Sequence, residues 1–158
     1  NFIKGEKFFL YGSELILVTK SSNKTKVVLS GNNLNIFFSN KKNKIKSNIE
    51  DWYKNESLEY FISRTEYLAK VMSTKYSSVK IKNFKRRLGS CSHKGDIVYN
   101  WRIIMSPKNI IDYIIIHELC HTIHFNHSKS FWSLVSKFSP NYKEHKLWLK
   151  KNIEMLHW

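Results

Sequence analysis

Residues 117–121 read His-Glu-Leu-Cys-His and directly follow the apolar run 114–116. On a helix, positions i and i+4 share a face, so His117 and His121 can both direct an imidazole at one zinc ion. Glu118 lies about 100° around the helix axis, where it reaches a metal-bound water rather than the metal. Zinc lowers the pKa of such a water to about 7, and the carboxylate can then take its proton. The alternative is a helix that carries two unrelated histidines.

Catalytic zinc usually has three protein ligands and one open position. His127 is favoured as the third ligand, although a continuous helix would carry it about 9 Å beyond His121. The chain must therefore turn back, and Phe125-Asn126 is the expected place because Asn tolerates a left-handed backbone. Ser128 is then predicted to cap the next helix. His124 is the alternative ligand if the helix ends early.

The spacing of apolar residues predicts the elements that position this motif. Short β-rich runs separated by Gly, Asn and Ser turns over 7–39 predict an antiparallel β-meander. Helical periodicity over 48–76, with Ser47 as N-cap, predicts a long helix. Segments 79–84 and 96–104 are predicted to form a β-hairpin. Further helices are predicted over 107–125, with Ser106 as cap and Pro107 at its start, 128–138 and 141–156. The order indicates an α+β fold in one domain, 1–158.

Composition narrows the functional class. Of the 158 residues, 42% are hydrophobic and 15% aromatic, which excludes intrinsic disorder for most of the chain. We expect no signal peptide or transmembrane helix, and two Cys favour a reducing, cytoplasmic setting. The formal charge of +15 comes from 23 Lys and only 4 Arg, spread along the chain. A solvated basic surface is therefore favoured over a nucleic-acid interface. As a separate expectation, the protein is a monomer.

Short motifs surround the His-Glu pair over residues 87–152. They are Arg87-Leu88-Gly89-Ser90-Cys91-Ser92, Asn100-Trp101-Arg102, Ile111-Asp112-Tyr113, Asn126-His127-Ser128, Phe131-Trp132, Pro140-Asn141-Tyr142-Lys143 and Trp148-Leu149. In this order the segment resembles the YgjP-like metallopeptidase family of small bacterial zinc proteins. Leu88 departs from the family, which usually has Trp there. The chain is also similar to Wss1-type and SprT-like proteases, which act on proteins crosslinked to DNA.

The resemblance implies a zincin-like part at residues 47–158, which follows a strand-rich part at residues 1–46. From spacing and zinc chemistry we expect one zinc ion per chain, held by His117, His121 and His127, with Glu118 as general base. The resemblance implies that the substrates are proteins or peptides. Two other classes stay open. One is a DNA-associated protease or nucleic-acid-binding protein, and the other is a non-catalytic zinc-stabilised domain.

Four further residues are candidates for the same site. Asp112 either orients a zinc-bound His or is a first-turn acid favoured by the helix dipole, and the second role is preferred. Asn100 and Arg102 share one side of the strand predicted beside the metal helix, where they face either substrate or solvent. Tyr142 either donates a hydrogen bond to the oxyanion or, as we expect, packs.

Overall fold

The computed structural model describes residues 7–39 and 44–156, and it has an α+β architecture. An N-terminal four-stranded sheet precedes a long helix, a three-stranded sheet and three further α-helices. The strands of the first sheet are β1 (Phe8–Leu10), β2 (Ser13–Ser21), β3 (Lys26–Ser30) and β4 (Asn33–Phe38). No helix among the described residues has the length and apolar character to cross a membrane.

The first sheet is not the predicted antiparallel meander. Its strand order is β1-β2-β4-β3, and β2 and β4 run parallel to each other. The predicted turn between β3 and β4 is present, but this hairpin folds back so that β4 enters the sheet between β2 and β3. The physical reason is burial, because Leu34 and Ile36 of β4 have no exposed surface and a central position covers both edges of their strand.

The turn between β1 and β2 connects this sheet to the rest of the molecule. Tyr11 and Gly12 have φ angles of 51° and 85°, which are values of a type I′ hairpin turn. Their N–H groups donate to the carbonyls of Ile104 and Met105, each at 2.9 Å. A Cβ on Gly12 would lie 2.9 Å from Pro107 Cγ, so only glycine permits this close approach.

Helix α1 (Ile45–Val71) is the longest helix among the described residues. Every fourth residue from Ile45 to Thr65 is buried, and this row includes the polar Ser57. The Ser57 hydroxyl donates to the carbonyl of Trp101 at 2.8 Å, which satisfies a buried polar group. The helix begins after Lys44 without a side-chain cap, so the predicted Ser47 cap is wrong. It ends before the predicted residue 76, because Ser73 adopts a φ of 52° and stops the helix.

The second sheet contains β5 (Ser78–Lys82), β6 (Gly89–Cys91) and β7 (Asp96–Asn100), in the order β5-β7-β6. The predicted hairpin of 79–84 with 96–104 is wrong, because β5 and β7 are parallel. The hairpin partner of β7 is β6, whose Gly-Ser-Cys sequence gives no strand signal of its own. β7 ends at Asn100, and a 3-10 helix follows at Trp101–Met105.

The remaining helices are α2 (Lys108–Cys120), α3 (Lys129–Phe138) and α4 (Tyr142–Asn152), followed by a 3-10 turn at Ile153–Leu156. The N-cap of α2 is Pro107 rather than the predicted Ser106. α2 ends five residues before the predicted residue 125, with His121 as its C-cap. Ser128 caps α3 as predicted, and its side chain accepts a hydrogen bond from the Phe131 N–H.

Asn100 holds the segment that leads into β6. Its side-chain amide donates to the carbonyls of Phe84 and Arg87 at 3.0 and 3.1 Å, and its side-chain oxygen accepts from the Arg102 N–H. The residue is 3% exposed, so these partners would be costly to leave unsatisfied.

We predict that Asn100→Ala lowers the free energy of unfolding by about 2 kcal/mol or more, because it removes three hydrogen bonds from a buried position. Urea denaturation followed by circular dichroism measures the change. Asn33→Ala, at an exposed strand position, is the matched control and should change stability by less than about 0.5 kcal/mol. Equal effects of the two substitutions would contradict the structural role of Asn100.

Candidate metal centre

Three histidines converge at the C-terminal end of α2. His117 lies in the last turn of the helix, His121 is its C-cap, and His127 comes from the loop that precedes α3. One nitrogen of each ring lies within 4.8 Å of the corresponding nitrogens of the other two. The Nε2 atoms of His117 and His127 are 3.4 Å apart.

The loop between α2 and α3 reverses the chain earlier than the sequence suggests. The N–H groups of residues 121–123 donate to carbonyls three residues back, which tightens the end of α2 into 3-10 geometry. Asn126 is not left-handed, because positive φ among the described non-glycine residues occurs at Tyr11 and Ser73. The Thr122 and Thr74 hydroxyls are hydrogen-bonded at 2.8 Å, which fixes the loop to the segment after α1.

The donor set fits a transition-metal ion. Tetrahedral zinc with Zn–N bonds of about 2.0–2.1 Å separates two ligand nitrogens by about 3.4 Å, which is the separation of His117 Nε2 and His127 Nε2. Nδ1 of His121 donates to the carbonyl of His124 at 2.9 Å, so Nε2 of His121 is the nitrogen left to ligate. His124, the alternative ligand in the sequence, thus contributes its backbone carbonyl to orient His121.

Aromatic side chains hold the histidine rings in place. Phe131 is fully buried and stacks on His121 at 4.4 Å between centroids. Trp132 stacks on His127, with 5.9 Å between ring centroids. Tyr142 in turn stacks on Trp132, with 5.2 Å between centroids. Because α3 starts at the Ser128 cap, Phe131 and Trp132 are presented together to the histidines. This packing restricts the rotamers of the three histidine rings.

Burial shifts both ionisable groups of the His-Glu pair toward their neutral forms. Burial, followed by the nearby His121 and His127, lowers the pKa of His117 to about 3. The neutral imidazole is the form that binds a metal. Burial also raises the pKa of Glu118 to about 7, and the residue is only 6% exposed.

The Glu118 carboxylate lies against the backbone of β6. A Cβ on Gly89 would stand 3.2 Å from Oε1 of Glu118 and 3.0 Å from the carbonyl oxygen of Val98. The absence of a side chain at Gly89 therefore leaves the space that the carboxylate occupies. A cavity of about 320 Å³ opens beside this contact, and its lining includes His117, Glu118, Tyr113 and Arg87.

The other predicted residues have separate partners. Asp112 forms a bidentate ion pair with Arg64 of α1, with both oxygen–nitrogen distances at 2.8 Å. The first turn of α2 holds no acidic residue, so its assignment as a first-turn acid is wrong. Asn100 binds the backbone carbonyls described above, and Arg102 contacts Trp101 and Asn83. The Tyr142 ring stacks on the Trp132 ring, with 5.2 Å between centroids.

Sequence reasoning did not assign Gly89, Tyr113, Trp132 or Arg87 to the site, and it assigned the aromatic side chains of α3 to the core. The signal for Tyr113 was available, because residues four apart on α2 share a face and Tyr113 contacts the His117 ring edge-on. Gly89 and Arg87 reach the site through the pairing of β6 with β7, which the short strand did not reveal.

We predict that zinc or cobalt ions stabilise the metal-free protein by several degrees in thermal unfolding, because they bind the folded arrangement of three imidazoles. His127→Ala should lose most of this stabilisation. His124→Ala should keep it, because the group that contacts His121 is a backbone carbonyl. Equal metal-induced shifts in both variants would exclude His127 as a ligand.

Comparison with known proteins places this geometry in context. The family model described as "YgjP-like, metallopeptidase domain" matches residues 1–152. The search of curated proteins gives no match.

Two solved structures are similar over the greater part of their own length. The metallopeptidase zymogen abylysin of Pyrococcus abyssi has 27% sequence identity and a TM-score of 0.51, over 56% of this chain and 91% of its own. The metallopeptidase zymogen jannalysin of Methanocaldococcus jannaschii has 19% identity and a TM-score of 0.53, over 59% and 96%. The second likeness concerns the fold alone.

The family match spans nearly the whole chain, and its description implies a peptidase that uses a metal ion. Three histidines that could hold such an ion lie together beside a buried glutamate. The chain belongs to the YgjP-like metallopeptidase family.

Proposed function

We propose that the protein is a zinc metallopeptidase that binds one zinc ion per chain through His117, His121 and His127. The observation that carries the proposal is the convergence of these rings beside the buried Glu118 carboxylate. Among the described residues the potential ligand group holds only these three side chains. Structural zinc sites usually have four, so the arrangement favours catalysis over a purely structural site.

When bound, zinc supplies a Lewis acid that polarises a peptide carbonyl and lowers the pKa of water. Glu118 accepts the proton from the attacking water and passes it to the amine that leaves. Glu118 is buried and directly follows His117 in the chain, so its carboxylate lies beside the three imidazoles and away from bulk water. His121 is oriented by its hydrogen bond to the His124 carbonyl and by the stacked Phe131 ring. These contacts hold its imidazole in position relative to Glu118.

We further propose that the substrate backbone pairs with the free edge of β6. The strand predicted beside the metal helix is the one that contains Asn100, but β7 is the central strand and both of its edges are occupied. β6 lies at the edge of the sheet formed by the described strands. Asn100 N–H bonds to the Leu88 carbonyl, and the antiparallel alternation then directs the backbone groups of Gly89 and Cys91 outward. An extended peptide could hydrogen-bond to these groups beside Glu118.

Glu118→Gln is predicted to lower kcat/KM for peptide hydrolysis by at least about 10²-fold, because the amide cannot accept the proton. Zinc content and the unfolding temperature should stay near the native values, since none of the three histidines changes. Glu144→Gln, at an exposed position on α4, is the matched control and should remain active. Native-like hydrolysis by Glu118→Gln would exclude the general-base role.

Gly89→Ala tests the position of the carboxylate. The added Cβ would force Glu118 Oε1 away by a few tenths of an ångström, because the Val98 carbonyl blocks movement in the other direction. We expect kcat to fall about tenfold or more while zinc content is unchanged, since small displacements of catalytic groups are costly. Ser90→Ala, at the next residue of β6, should retain kcat. If Gly89→Ala keeps full activity, the close contact with Glu118 does not position the carboxylate.

A further inference from the structure

Among the described residues, Arg87 is the one permanent cation on the wall of the cavity beside Glu118. Leu88, Ile114 and Leu149 form much of the remaining wall, so the cavity combines an apolar lining with a guanidinium group. The Arg87 side chain is exposed to solvent, and its backbone carbonyl accepts the hydrogen bond from Asn100. The backbone of Arg87 is thus anchored at the cavity wall, and the residue is exposed to solvent.

No carboxylate of the described residues pairs with Arg87. Asp112 is occupied by Arg64, and both oxygens of Asp96 accept hydrogen bonds from Ser78 and Ser92. Along the chain, residues 67–95 contain eight Lys or Arg and no Asp or Glu. Glu118 is the acid that lines the same cavity, and its side chain is buried. Within the described residues, the guanidinium therefore has no ion-pair partner, and it can bind a carboxylate of another molecule.

A second free cation lies on the α4 side of the histidines. Lys146 Nζ is 4.3 Å from the centre of the Trp132 ring, which in turn lies 5.7 Å from the His117 ring. Lys146 is in no ion pair within the part of the chain that the structure describes. Arg87 and Lys146 are thus two cations near the histidines that have no ion-pair partner among the described residues. Such a field attracts negatively charged substrates.

We propose that Arg87 binds a carboxylate of the substrate, so that the enzyme selects peptides carrying a negative charge next to the cleaved bond. This inference rests on the proposed peptidase activity. A guanidinium binds a carboxylate through two parallel hydrogen bonds, and the apolar wall can cover the methylene groups of a Glu side chain. The carboxylate can belong to an acidic side chain or to the C-terminus of the peptide, and the two sources are separated by experiment.

The first experiment uses the zinc-loaded protein and matched peptides with Glu, Gln or Lys at each position around the cleaved bond. Each peptide is supplied with a free or an amidated C-terminus, and mass spectrometry identifies the cleavage. We expect kcat/KM to be about tenfold or more higher for Glu than for Gln at one position. If the amidated peptides lose the preference, the carboxylate that binds is the C-terminal one.

Charge reversal tests the assignment to Arg87. Arg87→Glu should abolish the preference for Glu and favour Lys at that position. Arg86→Glu changes the net charge equally at a neighbouring exposed residue that does not line the cavity, so it should keep the native preference. An unchanged Glu-to-Gln ratio in Arg87→Glu would overturn the proposal.

Binding gives a second readout that does not require turnover. Zinc-loaded Glu118→Gln is titrated with the Glu and Gln peptides, and Trp fluorescence reports binding. Tighter binding of the Glu peptide, lost in the double variant with Arg87→Glu, supports the proposal even if cleavage is slow. Cleavage without any charge preference overturns only this inference, whereas absence of both cleavage and binding overturns the proposed function as well.

A nucleic acid is another anionic ligand that the basic segment of residues 67–95 could bind. Duplex DNA is therefore included as a competitor in the binding experiment. Duplex DNA binds to a general electrostatic surface if Arg86→Glu and Arg87→Glu weaken DNA binding to the same extent, and if they also weaken peptide binding to the same extent. That result would also overturn a specific carboxylate site at Arg87.

Discussion

The site depends on where α2 ends. The last turn tightens through hydrogen bonds from residues 121–123 to carbonyls three residues back, and the helix stops at His121. Without this stop, His127 would continue along the helix axis, about 1.5 Å further for each residue. With it, the loop returns and His127 approaches His117 to 3.4 Å. A single change of backbone geometry therefore converts two helical histidines into a three-histidine centre.

Helix α1 fixes the rigid frame around that turn through polar contacts as well as apolar packing. Arg64 binds Asp112 of α2 with two short hydrogen bonds, and Thr65 bonds to the Tyr99 hydroxyl of β7 at 3.0 Å. Thr74, just beyond the helix, bonds to Thr122 in the turn itself. One element thus connects the start of α2, the second sheet and the loop that carries His121 and His127. Small displacements of these parts would separate the ligands from Glu118.

Burial sets the electrostatics of the centre. Removing His117 and Glu118 from water penalises their charged forms, so the imidazole is held neutral and the carboxyl pKa is raised. A neutral imidazole can donate its lone pair to a cation, and an ionised Glu118 would balance part of the charge that such a cation introduces. The surrounding cleft has the opposite bias, because Arg87 and Lys146 remain unpaired among the described residues. The interior of the site therefore suits proton transfer while its rim suits an anionic ligand.

Local signals in the sequence determined the parts of the protein that depend on neighbouring residues. The i, i+4 spacing of His117 and His121, the Ser128 cap and the apolar periodicity of the helices act within one or two turns. The partners of Asp112 and Asn100, the insertion of β4 beside β2 and the pairing of β6 with β7 join residues far apart in the chain. Only the tertiary structure decided these, because strand order follows from which apolar faces are covered together, and polar side chains bond to whatever group then lies opposite. The same long-range pairing brings Gly89 to Glu118 and Arg87 to the cavity, although the motif that contains both residues gives no local sign of these contacts.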